Sequence, residues 1–223
     1  MSLKPLKKSD LGKNWITKRR DSRIRIRPEY HLIVTEGEKT EPLYFQKFKE
    51  EINKKYRERI HFSIIGAGEN TVSLFETARR YAVSSVNGYK HVWIVYDTDC
   101  FPRENVDEVP LLCKKYSTEK QQYHAIWSNQ CIELWYLLHF ELLQSDLHRS
   151  RYTAKLSSHL KKLKAGAYKK NRGDMFFLLK PFVKAALKNA RKLALINGEK
   201  PPSLSAPGTN VHEIVERLFP YIT

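Results

Sequence analysis

Apolar runs and helical periodicities alternate along the chain between residues 31 and 146. Four apolar runs, each ending in a turn or an acidic residue, predict strands: YHLIVTEG, RIHFSIIGAGEN, KHVWIVYDTD and QYHAIWSN. The third run is apolar throughout, which predicts a strand that is covered on both faces. Strands that alternate with helices imply right-handed crossovers, and therefore a parallel sheet.

Helices are predicted between and after these strands. Tyr44, Phe48 and Ile52 recur at i, i+4 and i+8, and this spacing marks one face of a helix. Thr40 precedes that pattern and is suited to the N-cap position. Two more helices are predicted after the second and fourth strands, at TVSLFETARRYAVSSV and CIELWYLLHFELL. The expected fold class is a Rossmann-like α/β fold, with a mostly parallel sheet flanked by helices.

The pattern changes after residue 146, where cationic helical segments replace the alternation. TAKLSSHLKKLK and DMFFLLKPFVKAALKNARKLALI predict helices, and Thr209 or Asn210 is placed to cap a last helix, VHEIVERLF. We therefore expect three parts: a basic N-terminal arm over residues 1–30, an α/β core over 31–146, and a helical, basic extension over 147–223 that packs on the core.

The composition narrows the class of protein. The chain has 223 residues with 41% hydrophobic content, which is enough for one sizeable core. No apolar stretch approaches the roughly 20 residues that span a bilayer, and MSLKPLKKSD lacks the apolar centre of a signal peptide. The three cysteines show no CxxC spacing, so neither a disulfide framework nor a zinc site is indicated. We expect a soluble cytoplasmic protein with no membrane partner.

The positive charge is concentrated in two flanks of the chain. The formal net charge is +16, and residues 1–30 carry ten Lys and Arg against three acids. Residues 149–200 carry fifteen Lys and Arg against two acids. Residues 31–148 are slightly acidic, with fourteen Lys and Arg against seventeen acids. Such clustering is typical of a protein that binds a polyanion, most often nucleic acid. The alternative is a solvated, lysine-rich surface.

Acidic residues follow two of the predicted strands. Glu36 ends the first strand, and Asp97 and Asp99 end the third. Because ligands bind at the carboxyl ends of strands in open parallel sheets, these side chains are expected to converge. Converging carboxylates repel one another, and a hard divalent cation such as Mg²⁺ compensates them, often with waters and phosphate oxygens as further ligands. The alternative is a pair of solvated strand ends.

Several cationic residues are candidates for contact with phosphate groups. Tyr152 and Tyr168 lie among the lysines of the extension and are predicted to stack on unpaired bases. His139, on the apolar helix, is more simply explained as a core histidine. The predicted nucleic-acid contacts are Lys39, Arg103, Lys161, Lys162, Lys164, Lys169, Lys170 and Arg172.

The order of these motifs resembles a known family. Glu-Gly after strand one and Asp-x-Asp after strand three resemble the Toprim domain of primases, topoisomerases and OLD-type nucleases. The closer resemblance is to RloB-like proteins, which are Toprim-bearing proteins found with bacterial restriction and phage-defence loci. It rests on the blocks TEGEKTEPLYF, GAGENT, DTDCF, SNQCIELWYLLHF and GTNVHEIV. Gln130 stands where this family usually has a proline.

The resemblance implies roles for five acidic residues. Glu36 matches the Toprim glutamate, and Asp97 and Asp99 match the Mg²⁺ ligands. Glu41 and Glu133 occupy places comparable to further metal-binding acids of OLD-type nucleases. Alternatively, Glu41 is a first-turn carboxylate favoured by the helix dipole, and Glu133 caps its helix. Since Glu133 lies among apolar residues, it needs a cation or a donor as partner.

These features predict an Mg²⁺-dependent nuclease of a bacterial restriction or phage-defence system, with Mn²⁺ as an alternative cofactor. Glu36, Asp97, Asp99 and Glu133 are its predicted catalytic residues. The substrate is expected to be RNA, such as tRNA, in slight preference to DNA, and other defence proteins are candidate partners. A non-catalytic nucleic-acid-binding protein of the same fold and a primase-like nucleotidyl transferase are the alternatives.

Overall fold

The four predicted strands form one parallel sheet in the order β2-β1-β3-β4. The strands are β1 (Glu29–Thr35), β2 (Ile60–Gly66), β3 (His91–Asp97) and β4 (Gln122–Ser128). The structure is a computed structural model that describes residues 29–56, 60–68, 71–86, 88–98 and 101–222. The predicted α/β class with a parallel sheet is confirmed. Nearly all of the predicted basic arm, and Asp99, lie outside the described residues.

Helices follow each strand and make up most of the chain after β4. They are α1 (Thr40–Lys55), α2 (Thr71–Ser84), α3 (Arg103–Tyr116), α4 (Glu133–Leu138), α5 (Arg149–Lys162), α6 (Met175–Leu179), α7 (Val183–Asn197) and α8 (Val211–Leu218). In the described part of the chain, no helix combines the length and the apolar character needed to cross a membrane.

The two central strands are buried on both faces, and successive residues of β1 point into different cores. Leu32 and Val34 belong to the apolar cluster that α2 and α3 cover, whereas Ile33 belongs to the cluster on the opposite face. This alternation is the period of two that a pleated strand imposes. The near-continuous apolar sequence of β1 and β3 is therefore explained by helices on both sides of the sheet.

Helix α4 occupies the centre of the larger core. All six of its residues are buried, which explains why its sequence is apolar all round rather than along one stripe. Tyr152 and Leu156 of α5, and Ala186 and Ala190 of α7, bury their side chains in the same cluster as Ile33 of β1. The helices after residue 147 therefore share one continuous core with the sheet.

The structure differs from the sequence prediction at several helix ends, either in their bounds or in their capping contacts. Thr40 is the first residue of α1 rather than its N-cap, because its hydroxyl is committed to the Asn171 side chain at 2.7 Å. Pro181 divides the long helix predicted after residue 174 into α6, a 3₁₀ turn and α7, since proline lacks the N–H that an uninterrupted helix requires. Asn210 sits at the N-cap of α8, yet its side chain makes no capping hydrogen bond.

Asn210 instead covers the free edge of β4. Its Oδ1 accepts from the Trp127 backbone N–H at 2.6 Å, and its Nδ2 donates to the Ala125 carbonyl at 2.8 Å. Thr209 and Ser128 add an antiparallel bridge at the end of the same strand. The edge of the sheet is thereby paired with side-chain and backbone groups from the chain's last quarter.

Candidate active site

Glu36 and Asp97 lie side by side at the carboxyl edge of the sheet. They follow β1 and end β3, which are adjacent and parallel. The Glu36 backbone N–H donates to the Val95 carbonyl at 2.9 Å, and the Asp97 N–H donates to Glu36 Oε2 at 3.0 Å. The structure thus brings together two acids that are 61 positions apart in the sequence, as expected from the parallel sheet.

A cavity of about 410 Å³ opens over these two acids. We call it the acidic cavity. Three cationic side chains, Lys39, Lys170 and Arg149, line it together with Glu36, Glu41 and Asp97. Carboxylates and cations from distant parts of the chain therefore face the same space, which is the arrangement needed to bind a phosphate group beside a metal ion.

Glu41, in the first turn of α1, is buried at the back of the acidic cavity. Burial raises the pKa of its carboxyl group, the Glu133 carboxylate raises it further by repulsion, and Lys170 opposes the shift. The carboxylate rests against the backbone of Gly37, where an added Cβ would overlap with Glu41 Oε2. Glycine at position 37 therefore makes the space that Glu41 occupies.

Glu133 is the first residue of α4, and it is only 6% exposed. Its Oε1 accepts a hydrogen bond from the Tyr168 hydroxyl at 2.7 Å, so the donor partner expected for this buried acid is a tyrosine. Burial raises the pKa of the neighbouring Cys131 thiol, and the Glu133 and Asp97 carboxylates raise it further. Glu133 therefore lies in the electrostatic neighbourhood of both Asp97 and Glu41.

The segment that supplies Tyr168 joins α5 to α6 over residues 163–174, and we call it the site loop. Its Tyr168 N–H donates to Ser157 Oγ at 3.1 Å, and its Asn171 side chain accepts the hydrogen bond from Thr40. Arg172 pairs with Asp174 through Nη2 and Oδ2 at 2.8 Å. The loop is thus tied to α5, to α1 and to itself, with Lys170 at the acidic cavity.

The predicted basic residues divide into three groups. Lys39 and Lys170 line the acidic cavity, while Arg103, the first residue of α3, lines a second cavity next to it. The charge of Arg172 is compensated by Asp174. The remaining four lie exposed at the end of α5 and on the site loop: Lys161, Lys162, Lys164 and Lys169.

The prediction that Tyr152 and Tyr168 stack on bases is wrong. Tyr152 is 0% and Tyr168 is 5% exposed, because both rings turn away from the lysines and into the core beneath the site. His139 is buried as expected for a core histidine. Its Nδ1 lies 3.0 Å from the Trp135 carbonyl, and burial lowers its pKa to about 4.

Sequence reasoning missed Arg149 and Asn171, and assigned Tyr168 a different role. Arg149 is the first residue of α5, and it reaches the site because its backbone N–H donates to Gln130 Oε1 at 2.6 Å. Gln130 itself adopts a φ of 61°, a conformation closed to proline. The available signal was Gln130 itself, which stands where the resembled family usually has proline and whose side chain makes this contact.

The donor set is compatible with a hard divalent cation. Its acids supply only oxygen atoms, and a bound cation would relieve the repulsion between carboxylates such as Glu41 and Glu133. Across the described residues, no group of three or more His, Cys, Asp or Glu side chains has the arrangement of a metal site. Mg²⁺ needs only one or two carboxylates when waters and phosphate oxygens complete its shell, and the Glu36–Asp97 pair meets that requirement.

A family model described as RloB-like protein matches residues 31–218. The match covers most of the chain and includes Glu36, Glu41, Asp97 and Glu133. No curated protein and no solved structure matches the chain.

Proposed function

The chain belongs to the RloB-like protein family, and we propose that it is a metal-dependent nuclease of a bacterial restriction or phage-defence system. Family membership suggests the association with restriction and defence. The observation that carries the proposed chemistry is the acidic cavity, where Glu36 and Asp97 face Arg149 and Lys170. A protein that only binds nucleic acid has no need for carboxylates beside a phosphate-binding surface, since they repel the ligand.

Mg²⁺ is the cofactor that suits this donor set, with Mn²⁺ as an alternative. Glu36 and Asp97 would hold it, and Glu41 and Glu133 would complete the set or hold a second ion. Asp99 is a further candidate ligand that lies outside the described residues. When bound, such a cation neutralises negative charge that develops on the phosphoryl oxygens during hydrolysis.

The protein's own side chains bind and orient the substrate in this proposal. Arg149 and Lys170 would contact the phosphodiester, and Lys39, which lines the same cavity, would add a third cation. The Asp97 N–H fixes the Glu36 carboxylate, and the Tyr168 hydroxyl fixes that of Glu133. Catalysis of phosphoryl transfer depends largely on such positioning and on electrostatic stabilisation.

The exposed lysines at the end of α5 and on the site loop extend the binding surface away from the cavity. Phosphate contacts of this kind make binding fall steeply as salt rises. We propose RNA, such as tRNA, in slight preference to DNA. The assignment of the fold to the Toprim class is part of the same proposal.

The test is to incubate the purified protein with labelled tRNA, single-stranded DNA and plasmid, in Mg²⁺, Mn²⁺ or EDTA. Metal-dependent cutting should disappear in Asp97→Ala and in Glu36→Ala. Glu119→Ala is the matched control, since Glu119 is an exposed acid in the loop that leads into the opposite end of β4. Loss of cutting in all three variants would contradict the assignment of the acidic cavity.

A non-catalytic nucleic-acid-binding protein is the second candidate. The observation that favours it is that the described residues contain no three-ligand metal group. Binding without cutting under every metal, with affinity unchanged in Asp97→Ala and Glu36→Ala, would establish this alternative and exclude the nuclease.

A further inference from the structure

A second cavity, of about 550 Å³, opens beside the acidic cavity at the same edge of the sheet. Thr98 follows Asp97 at the end of β3, and Asn129 follows Ser128 at the end of β4, so the cavity begins where these strands end. Arg149 lines both cavities. A phosphate group held by Arg149 at the acidic cavity would therefore have its neighbouring nucleotide at the mouth of the second one.

The lining of the second cavity combines apolar and hydrogen-bonding surfaces. Phe101 and Leu204 supply apolar walls, and Leu204 remains 51% exposed to solvent. Asn129 and Asp146 supply polar atoms, and Arg103 adds a cation. Flat apolar walls together with a few hydrogen-bonding groups are what a nucleobase requires, and the volume lies within the usual range of roughly 300–1,000 Å³ for small-molecule sites.

The walls of the cavity are held in place by the protein itself. Ser203 donates from its backbone N–H and its hydroxyl to the Asp107 carboxylate, at 3.0 and 2.6 Å, which fixes the 3₁₀ turn that carries Leu204. On the other side, Gln130 Nε2 donates to the Leu147 carbonyl at 2.8 Å while its Oε1 accepts from Arg149. The cavity is therefore formed before any ligand arrives.

We propose that this second cavity takes one unpaired nucleobase of the substrate, next to the phosphodiester at the acidic cavity. This inference rests on the proposed nuclease function and adds the substrate class, which is single-stranded or looped nucleic acid. A base in a duplex reaches such a pocket only after unstacking and unpairing, at a cost of a few kcal/mol. Unpaired strands bind without that cost.

The experiment measures the affinity of the full-length protein for short labelled single strands in EDTA, so that no cleavage is required. Each strand carries one abasic position, which is moved along the strand, and RNA and DNA sets are run in parallel. One position, or two adjacent ones, should weaken binding on the order of tenfold, as expected for the loss of one stacked base. Matched duplexes should bind more weakly than single strands.

In Leu204→Asp, binding affinity should no longer depend on the abasic position, because the charge on the apolar wall prevents a base from binding there. Leu195→Asp is the matched control, since Leu195 is an 82% exposed leucine on α7 that lines neither cavity, and it should keep the dependence. A flat abasic scan in both RNA and DNA, or a scan that Leu204→Asp leaves unchanged, would overturn the proposal.

Cleavage in Mg²⁺ separates this proposal from the proposed function. Metal-dependent cutting together with a flat abasic scan would support the nuclease proposal and contradict the base-binding proposal. A position-dependent scan without cutting under any metal would support the base-binding proposal and contradict the nuclease proposal. Failure to bind any strand would contradict both.

Discussion

The two ends of the parallel sheet bury polar side chains in opposite ways. At the amino end, His31, His91 and His124 stack with Trp93, whose ring centroid lies 4.0 Å from that of His124. At the carboxyl end, the acids gather around an open cavity with cations on its rim. Strands β1 and β3 carry or lead into residues of both places, whereas β4 contributes His124 at the amino end.

At the amino end, most ring nitrogens of the cluster have partners within the fold, while the buried Nε2 of His31 makes no hydrogen bond and lies 3.5 Å from Glu29 Oε2. Trp93 Nε1 donates to His31 Nδ1 at 3.1 Å, His91 Nδ1 lies 3.0 Å from His124 Nε2, and Arg217 donates to His91 Nε2 at 2.8 Å. Burial lowers the pKa to about 3 for His31 and to about 4 for His91 and His124. The cluster is therefore neutral near pH 7, and it needs no ligand.

At the carboxyl end, groups of like charge lie close together around an open cavity. Glu41 and Glu133 repel each other, and the Tyr168 hydroxyl donates to Glu133 Oε1. The pKa of buried groups is shifted at both ends, so a shifted pKa by itself does not distinguish a functional site from a structural one. The difference lies in the surroundings of the polar groups, which are stacked rings within the core at the amino end and carboxylates with cations around an open cavity at the carboxyl end.

The largest expected effect is on cleavage at the carboxyl end. Asp97→Asn should lower the cleavage rate by at least about 100-fold. Mutation of residues that only hydrogen-bond to metal ligands already lowers metal affinity or activity by roughly 10–100-fold. Glu29→Gln is the counterpart at the amino end, where Glu29 pairs with Lys90 and Arg217. It should leave the rate per folded molecule unchanged, as measured on labelled tRNA in Mg²⁺. An equal loss in both variants would erase the distinction between the two ends.

At the amino end, the main effect should be on stability. Trp93→Phe removes the donor to His31 Nδ1 and leaves that buried nitrogen without its partner. The free energy of unfolding should fall by about 1–3 kcal/mol, the usual cost of an unsatisfied buried group, as measured by urea denaturation. Cleavage by the folded fraction should be unaffected, and a specific loss of activity would show that the two ends are coupled.

Tyr168→Phe should act on the carboxyl end through Glu133. Loss of the hydroxyl frees the carboxylate to rotate, and the apparent affinity for Mg²⁺ should fall about tenfold. This apparent affinity can be measured by direct titration with Mg²⁺ and from the dependence of the cleavage rate on metal concentration. Tyr152→Phe is the matched control, since the Tyr152 hydroxyl donates to Asn129 rather than to an acid. An equal decrease in Mg²⁺ affinity in both variants would contradict the proposal that Tyr168 positions Glu133.

The smallest expected effect concerns the pH dependence of stability. Unfolded histidines take up protons near pH 6.5, whereas His31 in the fold resists protonation down to about pH 3. The contribution of neutral His31 to the free energy of unfolding is therefore complete above pH 6.5, and it is lost as the pH falls below that value. Between pH 7.5 and 5.5, His31→Gln should lose about 1 kcal/mol less of its free energy of unfolding than the unmodified protein. Parallel curves would contradict the pKa assigned to His31.

Periodicity and strand-end motifs were enough to predict the sheet and the meeting of Glu36 with Asp97. Both follow from local rules, because apolar alternation fixes the strands and parallel strands share one carboxyl edge. The internal proline in the long predicted helix after residue 174 also gave a usable local signal, which the prediction did not use.

The rest of the site depends on contacts between distant segments. Tyr168 and Lys170 reach the acids because the site loop folds back over α1, and no spacing in the sequence encodes that path. Asn210 likewise has the composition of a helix cap, but the unpaired edge of β4 offers its amide two backbone partners. In both cases, tertiary contacts outweighed the local preference of the residue.

The site loop has a thermodynamic consequence for ligand binding. Lys169 and Lys170 directly follow Tyr168 in the sequence, and Tyr168 donates to Glu133. Nucleic acid bound to the two lysines and a cation bound at Glu133 would therefore restrain the same short segment. A coupling free energy between two ligands is reciprocal. We therefore expect Mg²⁺ to tighten oligonucleotide binding by the same factor by which the oligonucleotide tightens Mg²⁺ binding. The segment would then make each ligand a condition for firm binding of the other.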